Sequence, residues 1–405
     1  MTHLVPDQAL ENVRVLDLST GIAGPYCGKL LTEFGAEVLK VEAPGTGDRA
    51  RAESPFLEDI PHPEKSGLFL YLNMGKKSIT LDPTHSAGTR LFQKLVRDVD
   101  VVLESFAPGT MARLGLGYDS LEKLNPRLVV TSVSNFGQYG PYRDYKASEM
   151  VEYALSGLMY IVGFPDREPL KPGGFQAQYQ AGLNAAVATL AALYGVGVSG
   201  VGQHVDISIM DTVMSALEGV VLQHVYRGET RVRSGSRYGM WGPRVDIFPC
   251  KDGHLVLALN TEDEWGTFCH FMGRPDLLED PRYGRSRVEP EDTEDLADIL
   301  REWFREKKKM DVFFQARDWR VPVGLVPEID ELVNDAHFKA RDFFVEIEHP
   351  ATGLLKYPGA PFAMGETPGR SGRAPLLGEH NQEVYCAVLG YSRQELAKLR
   401  QVGAI

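Results

Sequence analysis

Between Val13 and Glu42 the sequence spells out strand, glycine-bearing turn, helix and strand, and this opening limits the possible folds more than any other feature. Val13-Arg14-Val15-Leu16-Asp17-Leu18 is a short, mainly apolar strand, followed by Gly21, Gly24 and Gly28. Pro25 predicts the start of a helix, where a missing N–H costs nothing. Gly35 predicts its end, because glycine accepts the left-handed conformation common there. Glu37-Val38-Leu39-Lys40-Val41-Glu42 supplies the second strand. The pattern recurs with a strand at Ser78–Leu81, a helix at Ala87–Val96, and strands at Val101–Glu104 and Leu128–Val133. A parallel α/β architecture is predicted over residues 10–140. Val205–Ile209 predicts a further strand, and the alanine-rich stretch from Met150 to Tyr194 predicts two helices around the turn Gly163–Asp166.

Near Arg227 the composition changes. Residues 227–244 hold four glycines and five arginines and predict a mobile linker or loop. A separate α+β unit is expected next, with a strand at Leu255–Leu259 and helices at Trp265–Met272 and Leu296–Lys307. The chain closes on a helix from Arg393 to Gln401, capped by Ser392. The expected organisation is a large first segment over 1–225, a small α+β domain over 226–330, and a return segment over 331–405 that completes the large domain.

The formal net charge is −12, which argues against nucleic-acid binding, since that needs clustered positive charge. An anionic ligand would have to be held by a few placed cations or N–H groups. No apolar run approaches the roughly 18 residues of a membrane span, and no export signal is visible, so a cytoplasmic protein without a membrane partner is expected. The four cysteines are scattered, without a disulfide framework. No GxSxG, HExxH or P-loop occurs, and the ten histidines have no ligand spacing, so no metal is implied. The glycines at 21, 24 and 28 read as a tight turn with close helix packing or, less closely matched, as a dinucleotide-binding turn.

An ordered series of short motifs is more specific. It runs through Ala23-Gly24-Pro25, Gly35-Ala36-Glu37-Val38, Pro44-Gly45-Thr46-Gly47-Asp48, Lys77-Ser78-Ile79-Thr80, Gly115-Leu116-Gly117-Tyr118, Leu124-Asn125-Pro126-Arg127-Leu128, Gly140-Pro141-Tyr142 and Leu377-Gly378-Glu379-His380. This series resembles the class III CoA-transferases, the formyl-CoA and carnitine CoA-transferase group that includes 2-methylacyl-CoA racemases. The resemblance implies an α/β fold with a Rossmann-like large domain, a small α+β domain, and two subunits linked like rings. It also implies a coenzyme A thioester as substrate, with no permanently bound cofactor. By resemblance, the CoA contacts fall on Ile22 and Ala23, on Ser105, Phe106 and Ala107, on Arg113, and on Lys146, Ala147, Ser148 and Glu149.

One departure stands out. Family transferases use an aspartate nucleophile just before an alanine-rich helix, and Gln178 occupies the matching position here. An amide cannot form the acyl anhydride. The racemase histidine position matches Ser148. Glu149 and Glu152 are nearby carboxylates, read as helix-surface or structural acids. The leading expectation is therefore a CoA-transferase subunit without catalytic residues of its own, working beside a homologous subunit that keeps the aspartate. That arrangement resembles the two-subunit succinyl-CoA:benzylsuccinate CoA-transferase of anaerobic toluene degradation. The alternatives are a competent homodimeric transferase or isomerase using another acid, such as Glu149, and a non-catalytic acyl-CoA-binding protein.

Overall fold

The computed structural model describes residues 7–237, 239–284 and 288–405. The chain forms two compact units. The larger comprises the chain through Leu158, Lys171–Leu222 and Arg341–Ile405, and the smaller Met159–Leu170 and Gln223–Ala340. The smaller unit thus takes in 159–170 and 331–340, beyond the boundaries expected from composition. Residues 159–170 are tied to it by Gly235 N–H, which donates to the Gly163 carbonyl (2.9 Å), and by Arg233, which donates to the Tyr160 and Phe164 carbonyls.

The larger unit is built on a parallel six-stranded sheet. Its strands are β1 (Arg14–Asp17), β2 (Glu37–Glu42), β3 (Lys77–Thr80), β4 (Val101–Glu104), β5 (Val129–Ser134) and β6 (Gln203–Ser208), in the order β3-β2-β1-β4-β5-β6. Strands β4 and β5 are buried along their whole length, as expected when helices cover both faces of a parallel sheet. Helix α1 (Ala23–Glu33) begins two residues before the expected Pro25. The proline then lies inside the first turn, where its N–H would also have no helical partner. Gly35 follows the helix at φ +108°.

The stretch predicted as two helices is divided differently. It contains α2 (Glu149–Leu155), a single turn at Leu158–Ile161, and the long α3 (Gln176–Ser199). By length and composition α3 could cross a membrane, which the sequence reading did not foresee. Its apolarity comes from alanine and glycine dispersed among polar residues rather than from an unbroken run. The small residues Ala177, Ala181, Gly182, Ala185 and Ala186 are buried, and α3 packs on α1.

A charged network lies inside the apolar framework. Asp17, at the end of β1, pairs with Lys76 (2.8 Å) and lies 3.9 Å from Lys40, which pairs with Asp48 (2.7 Å). All four residues are buried. Burial alone would raise the Asp17 pKa, but Lys40 and Lys76 hold it below the usual carboxylate range. Gly28 makes room for this network, since a Cβ there would fall 2.9 Å from Lys76 Nζ and 3.0 Å from Asp17 Oδ2.

The smaller unit carries an antiparallel sheet of β7 (Val245–Cys250), β8 (Gly253–Ala258) and β9 (Val323–Val326). Helices α4 (Glu262–Phe271), α5 (Thr293–Arg305) and α6 (Lys309–Asp318) accompany it, around a core that includes Phe248, Trp265, Phe268 and Phe304. Part of the expected mobile linker is tied down. Arg237 pairs with Asp246 and Glu294, and the buried Arg244 lies over the Trp265 ring. Tyr238, within that stretch, lies outside the described residues.

The return segment adds the hairpin β10 (Phe344–His349) and β11 (Gly353–Pro358), then α7 (Arg393–Gln401). Ser392 caps α7 in a reciprocal box with Glu395. The segment is anchored to the sheet where Tyr385 donates to the Thr80 carbonyl and Ser78 Oγ accepts from Gly378 N–H.

Replacing Lys76 with methionine would leave Asp17 buried with only the more distant Lys40. Lys76→Met is expected to cost about 3–5 kcal/mol of stability, read as a lower urea midpoint at unchanged slope.

Candidate functional site

A cavity of about 890 Å³ opens in the larger unit beside the carboxyl ends of β1 and β4. The strand order reverses between these two neighbours, and at such a point the following loops diverge and leave a crevice. The turn after β1 (Thr20–Gly24), the segment after β4 (Ser105–Pro108), the end of β5 and the residues leading into α2 form the walls. Hydrogen bonds fix the first two. Asp48 accepts from Gly21 N–H (3.0 Å), and Ser105 Oγ from Thr20 N–H (2.9 Å). Glu104 accepts from Phe106 N–H (2.7 Å).

Every position singled out by resemblance borders this one cavity. Ile22 and Ala23 lie on the first turn, Ser105, Phe106 and Ala107 on the second, and Arg113 beyond them. Lys146, Ala147, Ser148 and Glu149 come from the approach to α2, and Gln178 from the start of α3. Arg143, Arg49, Asn135 and Glu152 also line the cavity. The sequence reading missed Arg49, Arg143 and Asn135, and took Glu152 only as a nearby acid.

Two groupings stand out on the wall. One is cationic. At the place a Gly109 side chain would occupy, Arg143 Nη2 would be 3.3 Å away and Arg113 Nη1 3.7 Å. Arg113 is steadied by a bond to Thr110 Oγ1 (2.7 Å). Two guanidiniums converging in this way suit a phosphate. Arg143 directly follows the Gly140-Pro141-Tyr142 motif, and that was the one local signal for it.

The other grouping is made of acids and amides. Glu149 accepts from the N–H groups of Ala177 (2.9 Å) and Gln178 (3.2 Å). It therefore caps the first turn of α3 from a different helix, with its charge at the positive end of the dipole. Glu152 lies one turn further along α2. Its Oε2 accepts from Gln178 Nε2 (2.7 Å) and, with the Asn135 amide turned so that its nitrogen faces the carboxylate, its Oε1 accepts from Asn135 (2.9 Å), whose oxygen then accepts from Ala147 N–H (3.2 Å). The two acids are not surface residues: Glu149 is 8% exposed and Glu152 0%. Their three-residue spacing puts both on one helix face, which was legible. Their burial was not.

Burial pushes the Glu152 carboxyl up to about 7. The Glu149 charge adds to this, while the Gln178 bond and the Arg49 charge oppose it. Among the described residues, no group of three His, Cys, Asp or Glu side chains could hold a metal ion.

The family described as CoA-transferase family III matches residues 10–381. The chain belongs to that family. It is 36% identical to the succinyl-CoA–D-citramalate CoA-transferase of Chloroflexus aurantiacus, over 99% of each chain. It is 33% identical to the beta subunit of that organism's succinyl-CoA–L-malate CoA-transferase, over 96% of each. Among solved structures, a CAIB/BAIF family protein from Brucella suis superposes with a TM-score of 0.85 at 27% identity, covering 94% of this chain and 100% of the other. The family fold accounts for the parallel sheet and the small antiparallel sheet together.

Because folding raises the Glu152 pKa, the folded state binds a proton that the unfolded state has released between roughly pH 4.5 and 7. The associated stability is complete below that window and is lost as pH rises through about 7. Glu152→Gln is expected to flatten this dependence and to be more stable than the native chain above about pH 7. Thermal melts over a pH series would check it.

Proposed function

We propose that this chain is the acyl-CoA-binding subunit of a class III CoA-transferase that moves CoA from a succinyl-CoA donor to a dicarboxylic acid. The covalent carboxylate would come from a homologous subunit with aspartate at the position of Gln178. The observation that carries this reading is Gln178 itself, on the cavity wall with its side-chain amide bonded to Glu152. In the family's route a carboxylate attacks the thioester carbonyl, the C–S bond breaks, CoA leaves as the thiolate and an anhydride remains. An amide nitrogen has its lone pair delocalised and supplies no such nucleophile. CoA enters as substrate, and no bound cofactor is called for.

The Arg113 and Arg143 pair would hold a phosphate of CoA, with the turn Ile22–Ala23 and the segment Ser105–Ala107 against the rest of the molecule. Lys146 adds charge at the same wall. Two relatives whose names include succinyl-CoA support the donor, and one named as a beta subunit supports a two-chain assembly. Citramalate and malate are dicarboxylates. Benzylsuccinate, the acceptor suggested by the resemblance, is a substituted succinate of the same class. The assembly would be the linked-ring dimer of the family, working in the cytoplasm.

Glu152 favours a second reading. It is a buried carboxylate beside Gln178 with no ion pair among the described residues, whereas both Glu149 oxygens are committed to capping α3. In a self-sufficient homodimer, Glu152 rather than Glu149 would be the acid.

Expressed alone, the chain is expected to transfer no CoA from succinyl-CoA to dicarboxylic acids. Coexpression with its aspartate-bearing homologue should give an active heteromer with equal chain numbers. Turnover by homogeneous single-chain protein, with a hydroxylamine-labile adduct on the Glu152 peptide, would favour the second reading instead. Arg113→Ala and Arg143→Ala should each weaken CoA binding by about ten- to a hundredfold, measurable by titration calorimetry on the assembled protein.

A further inference from the structure

Most of the cations that surround the first turn have a carboxylate partner. Lys29 pairs with Glu33, Lys40 with Asp48, Arg51 with Glu42 and Glu64, and Lys76 with Asp17. Arg49 breaks the pattern. Its side chain lines the cavity, yet among the described residues its guanidinium makes no hydrogen bond and no ion pair. Glu53, one helical turn away on the same wall, does not pair with it.

The guanidinium nevertheless has a fixed place. It lies against the backbone of Gly21, where a Cβ would come within 2.3 Å of Nη2 and 2.5 Å of Nε. Gly21 has φ +82° and its N–H is held by Asp48, so the surface beneath Arg49 is rigid. Arg49 is also near enough to Glu152 for its charge to oppose the rise in that acid's pKa. The two make no ion pair among the described residues, and the Glu152 oxygens accept instead from the Gln178 and Asn135 amides. A planar cation without an ion pair among the described residues thus lies against the first turn, within electrostatic reach of Glu152.

We propose that Arg49 is a specificity-determining residue that binds the free distal carboxylate of a dicarboxylic acyl group carried on CoA. This rests on the reading of the cavity as an acyl-CoA site and deepens it. A guanidinium presents parallel N–H donors that match both oxygens of a carboxylate. A monocarboxylic acyl chain of equal length would place a methyl group against the same cation and leave it unpaired and partly desolvated, which disfavours that ligand as well. No covalent step is involved, and the selection acts at binding.

The test is calorimetric titration of the full chain, in the assembly in which it purifies, with three probes: CoA, a hydrolysis-resistant thioether analogue of succinyl-CoA, and the matching analogue of butyryl-CoA. The succinyl analogue is expected to bind about ten- to a hundredfold tighter than the butyryl analogue. Arg49→Ala should abolish that gap, lowering affinity for the succinyl analogue and raising it for the butyryl analogue while leaving affinity for CoA unchanged, and Arg49→Lys should keep part of it. Equal affinities in the native chain would overturn the proposal. So would a gap that survives Arg49→Ala, or an equal loss of affinity for all three probes, which would make Arg49 a phosphate contact. Absence of CoA binding by the native chain would overturn the acyl-CoA reading and this proposal with it.

Discussion

The ion network of Asp17, Lys40, Lys76 and Asp48 is the constraint on which the site depends. Asp17 ends the central strand β1, Lys40 comes from β2, and Lys76 enters just before β3. Three neighbouring segments of the sheet therefore meet through charges buried side by side. Asp48 carries the connection outward, because the carboxylate paired with Lys40 also accepts from Gly21 and Ala50 N–H groups. Lys40 in turn donates to the Ser19 carbonyl. The first turn of the cavity is thus suspended from charges in the core. An apolar core of similar volume could be as stable, but it would offer no acceptors for the turn's N–H groups. Those groups would then be unpaired beside the cavity.

Much of the fold was legible because its elements announce themselves locally. Strand–turn–helix punctuation marked β1, α1 and β2. Ser392, followed three residues later by Glu395, marked the start of the last helix, and its bounds came out as expected. What escaped the sequence depends on partners distant along the chain. The long helix α3 has no side-chain cap of its own at Phe175, and its start is stabilised by Glu149 from α2. No local pattern at residues 170–178 could reveal that. The same holds for the stretch 227–244, whose glycines and arginines suggest mobility. Arg244 becomes a core residue there because Trp265 lies beneath it and the distant Tyr283 carbonyl accepts from it.

The site was legible in its parts but not in its electrostatics. Resemblance picked out positions on five separate segments, and all five border one crevice at the reversal of strand order. It could not say which charges survive there. Arg51 and Arg49 are two residues apart and look alike in sequence. Arg51 is buried between Glu42 and Glu64, while Arg49 faces the cavity without an ion-pair partner among the described residues. Their difference follows from the short helical turn Arg49–Ala52, which points neighbouring side chains in different directions.

That asymmetry explains how a chain with net charge −12 can offer a cavity suited to anions. Acids do line the wall, but the two innermost are quenched by different means. Glu149 spends its charge on the N–H groups and the dipole of α3. Glu152 is buried deeply enough that its pKa rises to about 7, so near neutral pH much of its population carries no charge. Of the cations on the same wall, Arg143 pairs with Asp144 (3.3 Å), whereas Arg113 is steadied by a neutral hydroxyl and Arg49 has no partner among the described residues. The local potential is therefore set by which charges the fold leaves uncompensated, not by the sum over the chain. Gln178 belongs to the same balance. A carboxylate in its place would stand beside Glu152 and Glu149, adding a third acid to a grouping that the chain keeps nearly neutral.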